Sequence, residues 1–289
     1  MLFLKNYFAR QPQICIVCVA ENTPQFHTEV FWLFKSISIF GGRLNQAKKI
    51  ACFVNAVDAE VERSLSFIGV EIRIVSPLDD RLPLMNKIRM LDEVGDCDVL
   101  IGLDCDIVVL RDFSKMVSVR NFRAAATGFD TYSLKEWELI YGHFKIKLPR
   151  QRVTTACTAV SQVPYFNSGV IMIPKRFQVQ IRDAWKYYAA ELLTLCDSVP
   201  FLASNKFYAE QTGLSIALSS KLIPVSILPI EMNFHTNASI HPQFSPQKMT
   251  PYIIHHHHRL NSSGLFDSGY PLLDEHFRKI NSSITQSVA

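Results

Sequence analysis

The sequence has no run approaching the roughly 20 apolar residues that span a bilayer, so it gives no expectation of a transmembrane helix. It also lacks any dense block of lysine and arginine. With 30 basic residues against 26 acidic ones, the formal charge is only +4, which argues against an extended nucleic-acid footprint but leaves peripheral membrane contact open. The opening stretch MLFLKNYFARQPQ is too short in its apolar part, and too charged, for a secretory core. No internal repeat is visible. Cysteine is present as an odd set of seven, mostly inside apolar runs, where it acts as a small hydrophobe. The one CxxC spacing, Cys15 to Cys18, falls on an extended run that sends its two thiols to opposite faces, and no second CxxC accompanies it. These absences together lead to the expectation of a soluble, cytoplasmic protein in a reducing compartment.

What is present is 289 residues, 48% hydrophobic and 19% charged, enough for a substantial core. Over roughly the first 110 residues short β-rich runs alternate with longer amphipathic segments, the pattern of βαβ units and a mainly parallel sheet. The runs are Ile14–Ala20, Ile50–Val57, Val70–Val75 and Val99–Leu110. Val30, Leu33, Phe34, Ile37 and Phe40 recur at helical spacing before a Gly41-Gly42 stop, and another helix is expected over Pro83–Val94. Further on come a strand at Ala124–Phe129, a capping box at Ser133 and Glu136, and helices through AWKYYAAELLTLC and FYAEQTGLSIAL. Lys145–Gln162 fits no element and is expected to contact a variable substrate.

Two features carry chemistry. The stretch LIGLDCDIVVL sets Asp104 and Asp106 in an apolar run, at the carboxyl end of an expected buried strand, where ligands bind in open α/β sheets. Ionised carboxylates there need compensation. A hard divalent cation would supply it if the chain turns at that point; a capped turn with one aspartate paired to Arg111 would do so equally well. The second feature is His255-His256-His257-His258 after PYII. On an extended chain alternate histidines point to opposite faces, so at most two should serve one site. An imidazole added to two carboxylates moves the preference from Ca²⁺ toward Mn²⁺. An independent zinc or nickel site in the run is the competing reading, with consecutive histidines ill placed to converge.

In this order, these features resemble the retaining glycosyltransferases of the glycogenin and bacterial lipooligosaccharide galactosyltransferase type. The resemblance runs from about Ile14 to Phe266. Asp104-Cys105-Asp106 matches the family's DxD motif, Lys87 in NKIRML stands where it carries a basic residue, and Phe166-Asn167-Ser168-Gly169-Val170 matches its FN-small-G-V segment. Glu210-Gln211 matches its acidic-Gln pair, Asn233-Phe234 falls at an aromatic-Asn element, and His255 takes the place of the late metal-binding histidine.

The resemblance implies a GT-A type α/β fold, a Rossmann-like mixed and mainly parallel sheet flanked by helices. It implies a single domain over 1–270, with a nucleotide-binding half of about 14–110 and a donor and acceptor half of about 111–266, then a C-terminal helix or frayed tail over 271–289. It further implies Mn²⁺ (or Mg²⁺) held by Asp104, Asp106 and His255, with His257 as second choice, and a nucleotide-sugar donor, UDP-linked. Ala20-Glu21-Asn22 would contact base and ribose, Lys87 the leaving phosphates, and Asn167 and Ser168 the sugar hydroxyls, with Cys105 a spacer in the motif. Glu210 would orient the sugar and Gln211 would lie nearest the anomeric carbon, while the acceptor could be a carbohydrate, a glycolipid or a protein. Two departures stand out. The family's later Gly and Lys read His258 and Asn261 here, and its usual Asp-Gln reads Glu-Gln, so donor identity does not carry over. A sugar-nucleotide nucleotidyltransferase is the first alternative, but VAENTPQF has neither the glycine nor the basic residue such an opening loop needs. A non-catalytic nucleotide- or metal-binding member of the fold is the second.

Overall fold

The computed structural model describes residues 11–92, 95–261, 263–266 and 273–286. In chain order come β1 (Ile14–Ala20), α1 (Pro24–Phe40), β2 (Lys48–Val54), α2 (Ala59–Phe67), β3 (Val70–Val75), β4 (Val99–Leu103) and β5 (Ile107–Val109). Next are β6 (Phe122–Ala126), α3 (Leu134–His143), β7 (Val153–Thr154), β8 (Ser161–Gln162), β9 (Phe166–Pro174) and α4 (Lys175–Cys196). The chain then forms α5 (Pro200–Ala203), α6 (Ala209–Ser220), β10 (Val225–Leu228), β11 (Phe234–His235), β12 (Ile253–His255) and α7 (Asp274–Gln286). Thus the C-terminal stretch is helical as far as Gln286.

The main sheet has seven strands in the order β10-β6-β9-β4-β1-β2-β3, and β9 alone runs antiparallel to its neighbours. The expected mixed, mainly parallel sheet flanked by helices is what forms. β5, β12 and β11 make a second, three-stranded sheet.

Local chemistry explains the element ends. Thr23 caps α1 by accepting from the Phe26 amide, Pro24 opens the first turn with its φ preset, and Gly41 closes the helix on Ile37. The capping box at Ser133 and Glu136 is fully formed at the start of α3. Two expectations change. The run Val99–Leu110 is not one strand: it breaks at Asp104, because carboxylates cannot continue a buried ladder, and β5 leaves to pair with β12. Pro83–Leu91 winds as a 3₁₀-helix with no side-chain cap rather than an α-helix, and Val94 lies outside the described residues.

Both sheet faces are covered. Val30, Leu33, Phe34 and Ile37 of α1 pack on one face with Ile16 and Ile101, while α4 and α6 cover the other through Trp185, Leu192 and Leu214. Cys15 packs with one layer and Cys18 with the other, as their alternation along β1 requires. Each such large apolar side chain contributes roughly 1.5–3 kcal/mol on burial. The helices α4 and α6 touch so closely that a Cβ on Gly213 would lie 2.7 Å from the Ala189 amide nitrogen. This contact fixes the amino end of α6 under the carboxyl edge of the sheet. Among the described residues no helix is long and apolar enough to cross a membrane.

Candidate active site

The carboxyl ends of β1 and β4, the amino ends of β9 and α6, and the carboxyl end of β12 surround a cavity of about 450 Å³. Because β9 is antiparallel, it delivers its first residues to the same edge where the parallel strands deliver their last.

At the turn after β4 the Asp104 amide donates to the Gly169 carbonyl at 2.9 Å, and the Asp106 carbonyl accepts from the His256 amide at 2.9 Å. These bonds aim both side chains at His255. Its Nε2 stands 3.1 Å from Asp106 Oδ1 and 3.9 Å from Asp104 Oδ2. Its Nδ1 meets Asn233 Oδ1 at 3.1 Å, which fixes the ring. The space between these groups depends on Gly169, where an added Cβ would stand 2.7 Å from Asp104 Oδ2 and 2.8 Å from His255 Cε1. The Cys105 thiol donates away from the aspartates, to the Val19 carbonyl at 3.2 Å. Arg111 is bound to the Thr250 and Pro251 carbonyls and lies over the Tyr252 ring, so it is not the aspartates' partner.

Beside Asp104, Lys87 Nζ is 2.7 Å from its Oδ1 and 3.0 Å from Ser168 Oγ. Burial works against its charge, but the carboxylates of Asp104 and Glu210 outweigh that and hold the ammonium above the usual lysine range. Glu210, exposed on a simple helical reading, is only 3% exposed and accepts from Ser168 Oγ at 3.0 Å. Burial pushes its carboxyl up to about 7 against the pull of Lys87. Gln211 Oε1 accepts from the Ser168 amide at 3.3 Å, and Asn167 Oδ1 accepts from the Gly169 amide at 2.8 Å, leaving each amide NH₂ as a donor.

On the β1 side, Glu21 lines the cavity and accepts from Asn86 Nδ2 at 2.8 Å. The other two residues of that loop do not join it in the same way. Ala20 is packed in the core at 2% exposure, and Asn22 turns to His27 at 2.7 Å and Asp58 at 3.4 Å.

The histidine run departs from strand alternation, because β12 ends at His255 and both His257 and His258 adopt left-handed φ values of 50° and 61°. Three of the four, His255, His257 and His258, therefore line the cavity, while His256 is buried against Phe266. His258 Nδ1 meets Glu29 Oε1 at 2.7 Å, and this bond raises the imidazole to about 9. His235 and His257 are neutral: burial lowers the first to about 3, and burial with the neighbouring His255 lowers the second to about 2. Burial opposes ionisation of Asp106, yet His255 beside it holds its carboxyl well below the usual range.

Sequence reasoning missed His235, His258 and Asn86 as cavity residues. Asn86 adjoins Lys87 in sequence and could have been taken with it; His235 comes in only through the parallel pairing of β11 with β12. Lys145–Gln162 contributes no lining residue among those described. It braces the wall instead, the Ala156 and Cys157 amides donating to the Thr127 and Gly128 carbonyls at 3.1 and 2.8 Å.

The family model of the Rhodobacterales glycosyltransferase domain matches residues 19–221. No curated protein matches the sequence. Among solved structures, galactosyltransferase LgtC, in complex with donor and acceptor sugar analogues, matches with a TM-score of 0.57 at 13% identity, over 93% of this chain and 95% of that one. Glycosyltransferase GlyE of Streptococcus pneumoniae TIGR4 matches with a TM-score of 0.55 at 14% identity, over 93% and 65% of the two chains. Mouse xyloside xylosyltransferase 1 gives 0.50 at 10% identity, over 84% and 97%. At such identities the likeness establishes a shared fold, the GT-A fold expected from the sequence.

Proposed function

Starting from a chain that belongs to the Rhodobacterales glycosyltransferase domain family, we propose that it is a metal-dependent, retaining enzyme that moves a hexose or related sugar from a UDP donor to a carbohydrate, glycolipid or protein acceptor. The observation that carries this reading is the convergence of Asp104, Asp106 and His255, whose ligand atoms lie within 4.8 Å of one another in the cavity that also holds Lys87, Glu210 and Gln211.

The donor set fits a divalent ion. Two carboxylate oxygens and one imidazole nitrogen suit Mn²⁺, with Mg²⁺ the harder alternative, and Asn233 leaves only Nε2 of His255 free to ligate. When bound, such an ion supplies Lewis-acid stabilisation of the negative charge that builds on a departing diphosphate. Lys87 offers a fixed positive charge on the same side, already oriented by Asp104 and Ser168, so little reorganisation is needed when that charge develops. The Glu21 and Asn86 pair lies at the β1 end of the cavity, which suits the polar edges of a base or ribose. Asn167, Ser168 and Glu210 present donors and acceptors for sugar hydroxyls, and burial of Glu210 keeps water from competing for them.

Retention is assigned to departure of the diphosphate and arrival of the acceptor on one face of the sugar. An amide is a poor nucleophile, so Gln211 acts through the second lone pair of its Oε1, the negative end of its dipole, set against positive charge at the anomeric carbon. Calorimetry with UDP tests the reading, using wild type and the double variant Asp104→Asn/Asp106→Asn, each with and without Mn²⁺. Tight binding only in wild type with Mn²⁺ is expected; equal affinity in all four cases rejects the metal-bridged donor. A parallel screen of nucleotide sugars for slow release of free nucleotide identifies the donor without an acceptor.

A further inference from the structure

Beside the acidic set the fold gathers a second group of ligand atoms. β11 and β12 pair in parallel with His235 directly opposite His255. The left-handed backbone at His257 folds its ring onto that of His255, with centroids 4.1 Å apart and planes within 5°. His235 Nδ1 stands 3.5 Å from His257 Nε2, and the three rings each offer a nitrogen within 4.8 Å of the others. Two nitrogens bound to one tetrahedral zinc ion lie about 3.4 Å apart. His235 is 3% exposed, and neither its Nε2 nor the buried Nδ1 of His257 has a hydrogen-bond partner among the described residues. The packing leaves those two ring nitrogens without partners, which is costly, while the nitrogens that face each other, His235 Nδ1 and His257 Nε2, are the pair within reach of one ion.

We propose that His235, His255 and His257 form a nitrogen-only metal position for borderline ions such as Zn²⁺, Co²⁺ or Ni²⁺, used in alternation with the Asp104, Asp106 and His255 position. Ligand chemistry separates the two: imidazoles favour the later transition metals, whereas carboxylates favour Mg²⁺ and Mn²⁺. With the His255 ring held by Asn233, the His257 and His235 rings turn toward its Nε2 by rotation about χ2, a torsion with a broad, shallow profile. Alternation follows from His255. Its Nδ1 is held by Asn233 at 3.1 Å, so Nε2 alone ligates and serves one ion at a time. A borderline ion captured by the imidazoles therefore removes the nitrogen ligand from the carboxylates. The site itself stands on this chain's histidines; only the alternation rests on the metal position of the proposed function.

The test is a titration of the whole protein with Co²⁺, without nucleotide, read by visible absorption, beside a calorimetric titration with Mn²⁺. Expected are one-to-one Co²⁺ binding by wild type, a loss on the order of tenfold or more in His235→Gln and in His257→Gln, and Mn²⁺ affinity unchanged in both. Asp104→Asn/Asp106→Asn should do the reverse, keeping Co²⁺ and losing Mn²⁺. Zn²⁺ should displace Mn²⁺ from wild type mole for mole. Co²⁺ affinity untouched by both histidine variants, or lost equally in the aspartate double variant, overturns the site, and simultaneous binding of Zn²⁺ and Mn²⁺ overturns the alternation. Should circular dichroism show that His235→Gln unfolds, His257→Gln, whose ring is part exposed, carries the test. Wild type that binds Co²⁺ but no Mn²⁺ rejects the acidic position while sustaining this one.

Discussion

Gly169→Ala adds one methyl group and changes no proposed ligand, yet it should disable the acidic metal position. The new Cβ would lie 2.7 Å from Asp104 Oδ2, 2.7 Å from Asn167 Oδ1 and 2.8 Å from His255 Cε1. Ordinary contact begins near 3.5 Å, so these neighbours must retreat by about 0.7 Å. Ligand distances are held to about 0.2 Å in a working site, so a retreat of that size breaks the arrangement. Overpacking of this kind costs about 1–3 kcal/mol. Here the displaced groups are side-chain ends at a cavity, free to give way, so most of the cost should fall on ligation rather than on folding. Converted to affinity, it predicts Mn²⁺-dependent UDP binding weakened by about 10- to 100-fold, with a melting temperature lowered by only a few degrees. Calorimetry and thermal melting on the same preparation measure both. Wild-type Mn²⁺-UDP affinity in Gly169→Ala would refute the argument that Asp104 and His255 ligate from where they stand.

Three further outcomes follow from the same geometry. Glu210 has its folded-state pKa raised from 4.5 to about 7 by burial; the unfolded chain therefore ionises first, and stability should fall as pH rises between those values, by roughly 3 kcal/mol at most. Glu210→Gln should flatten that slope in pH-dependent melting, and an unchanged slope would show that Glu210 does not titrate there. Glu29→Gln should lower the imidazole pKa of His258 from about 9 toward its ordinary value, followed by NMR titration; no movement would mean that the Glu29 contact is not what raises it. Stability from the wild-type pair is present below the unfolded histidine pKa and lost as pH rises through about 9. Gly213→Ala drives a methyl group to within 2.8 Å of the Ala189 backbone nitrogen and Cα; because backbone cannot swing aside, a loss of about 2–3 kcal/mol is expected, and a melting temperature equal to wild type would contradict it.

Where local chemistry decides structure, the sequence was informative. β1 and β3 begin and end where their apolar runs do, and the capping box at Ser133 and the glycine stop after Phe40 act as written. In LIGLDCDIVVL the apolar pattern alone runs on to Leu110, and the strand instead breaks at Asp104, since burying both carboxylates in one strand would be too costly. What could not be read depends on contacts between distant segments. Glu210 is buried because α6 is enclosed between α4 and β9, a position that its own periodicity does not reveal. Three cavity histidines come from one run because two consecutive residues take left-handed φ, against the extended geometry their apolar lead-in suggests. His235 becomes a neighbour only when β11 pairs with β12.

The antiparallel strand in the middle of the sheet also bears on how the chain is made. β4 is the central strand by position, but its side away from β1 stays open until β9, which follows much later in the sequence, lies against it. A nascent chain that has emerged only through β6 thus carries an apolar strand with unpaired backbone groups, the kind of edge on which chains stick to one another. His255 follows later still, so it meets Asp104 and Asp106 only after every strand of the seven-stranded sheet has emerged. Truncation after β10 would remove β12, the partner of β5, along with the imidazoles. Expression of the amino-terminal half alone should therefore yield aggregate rather than a free-standing folded unit.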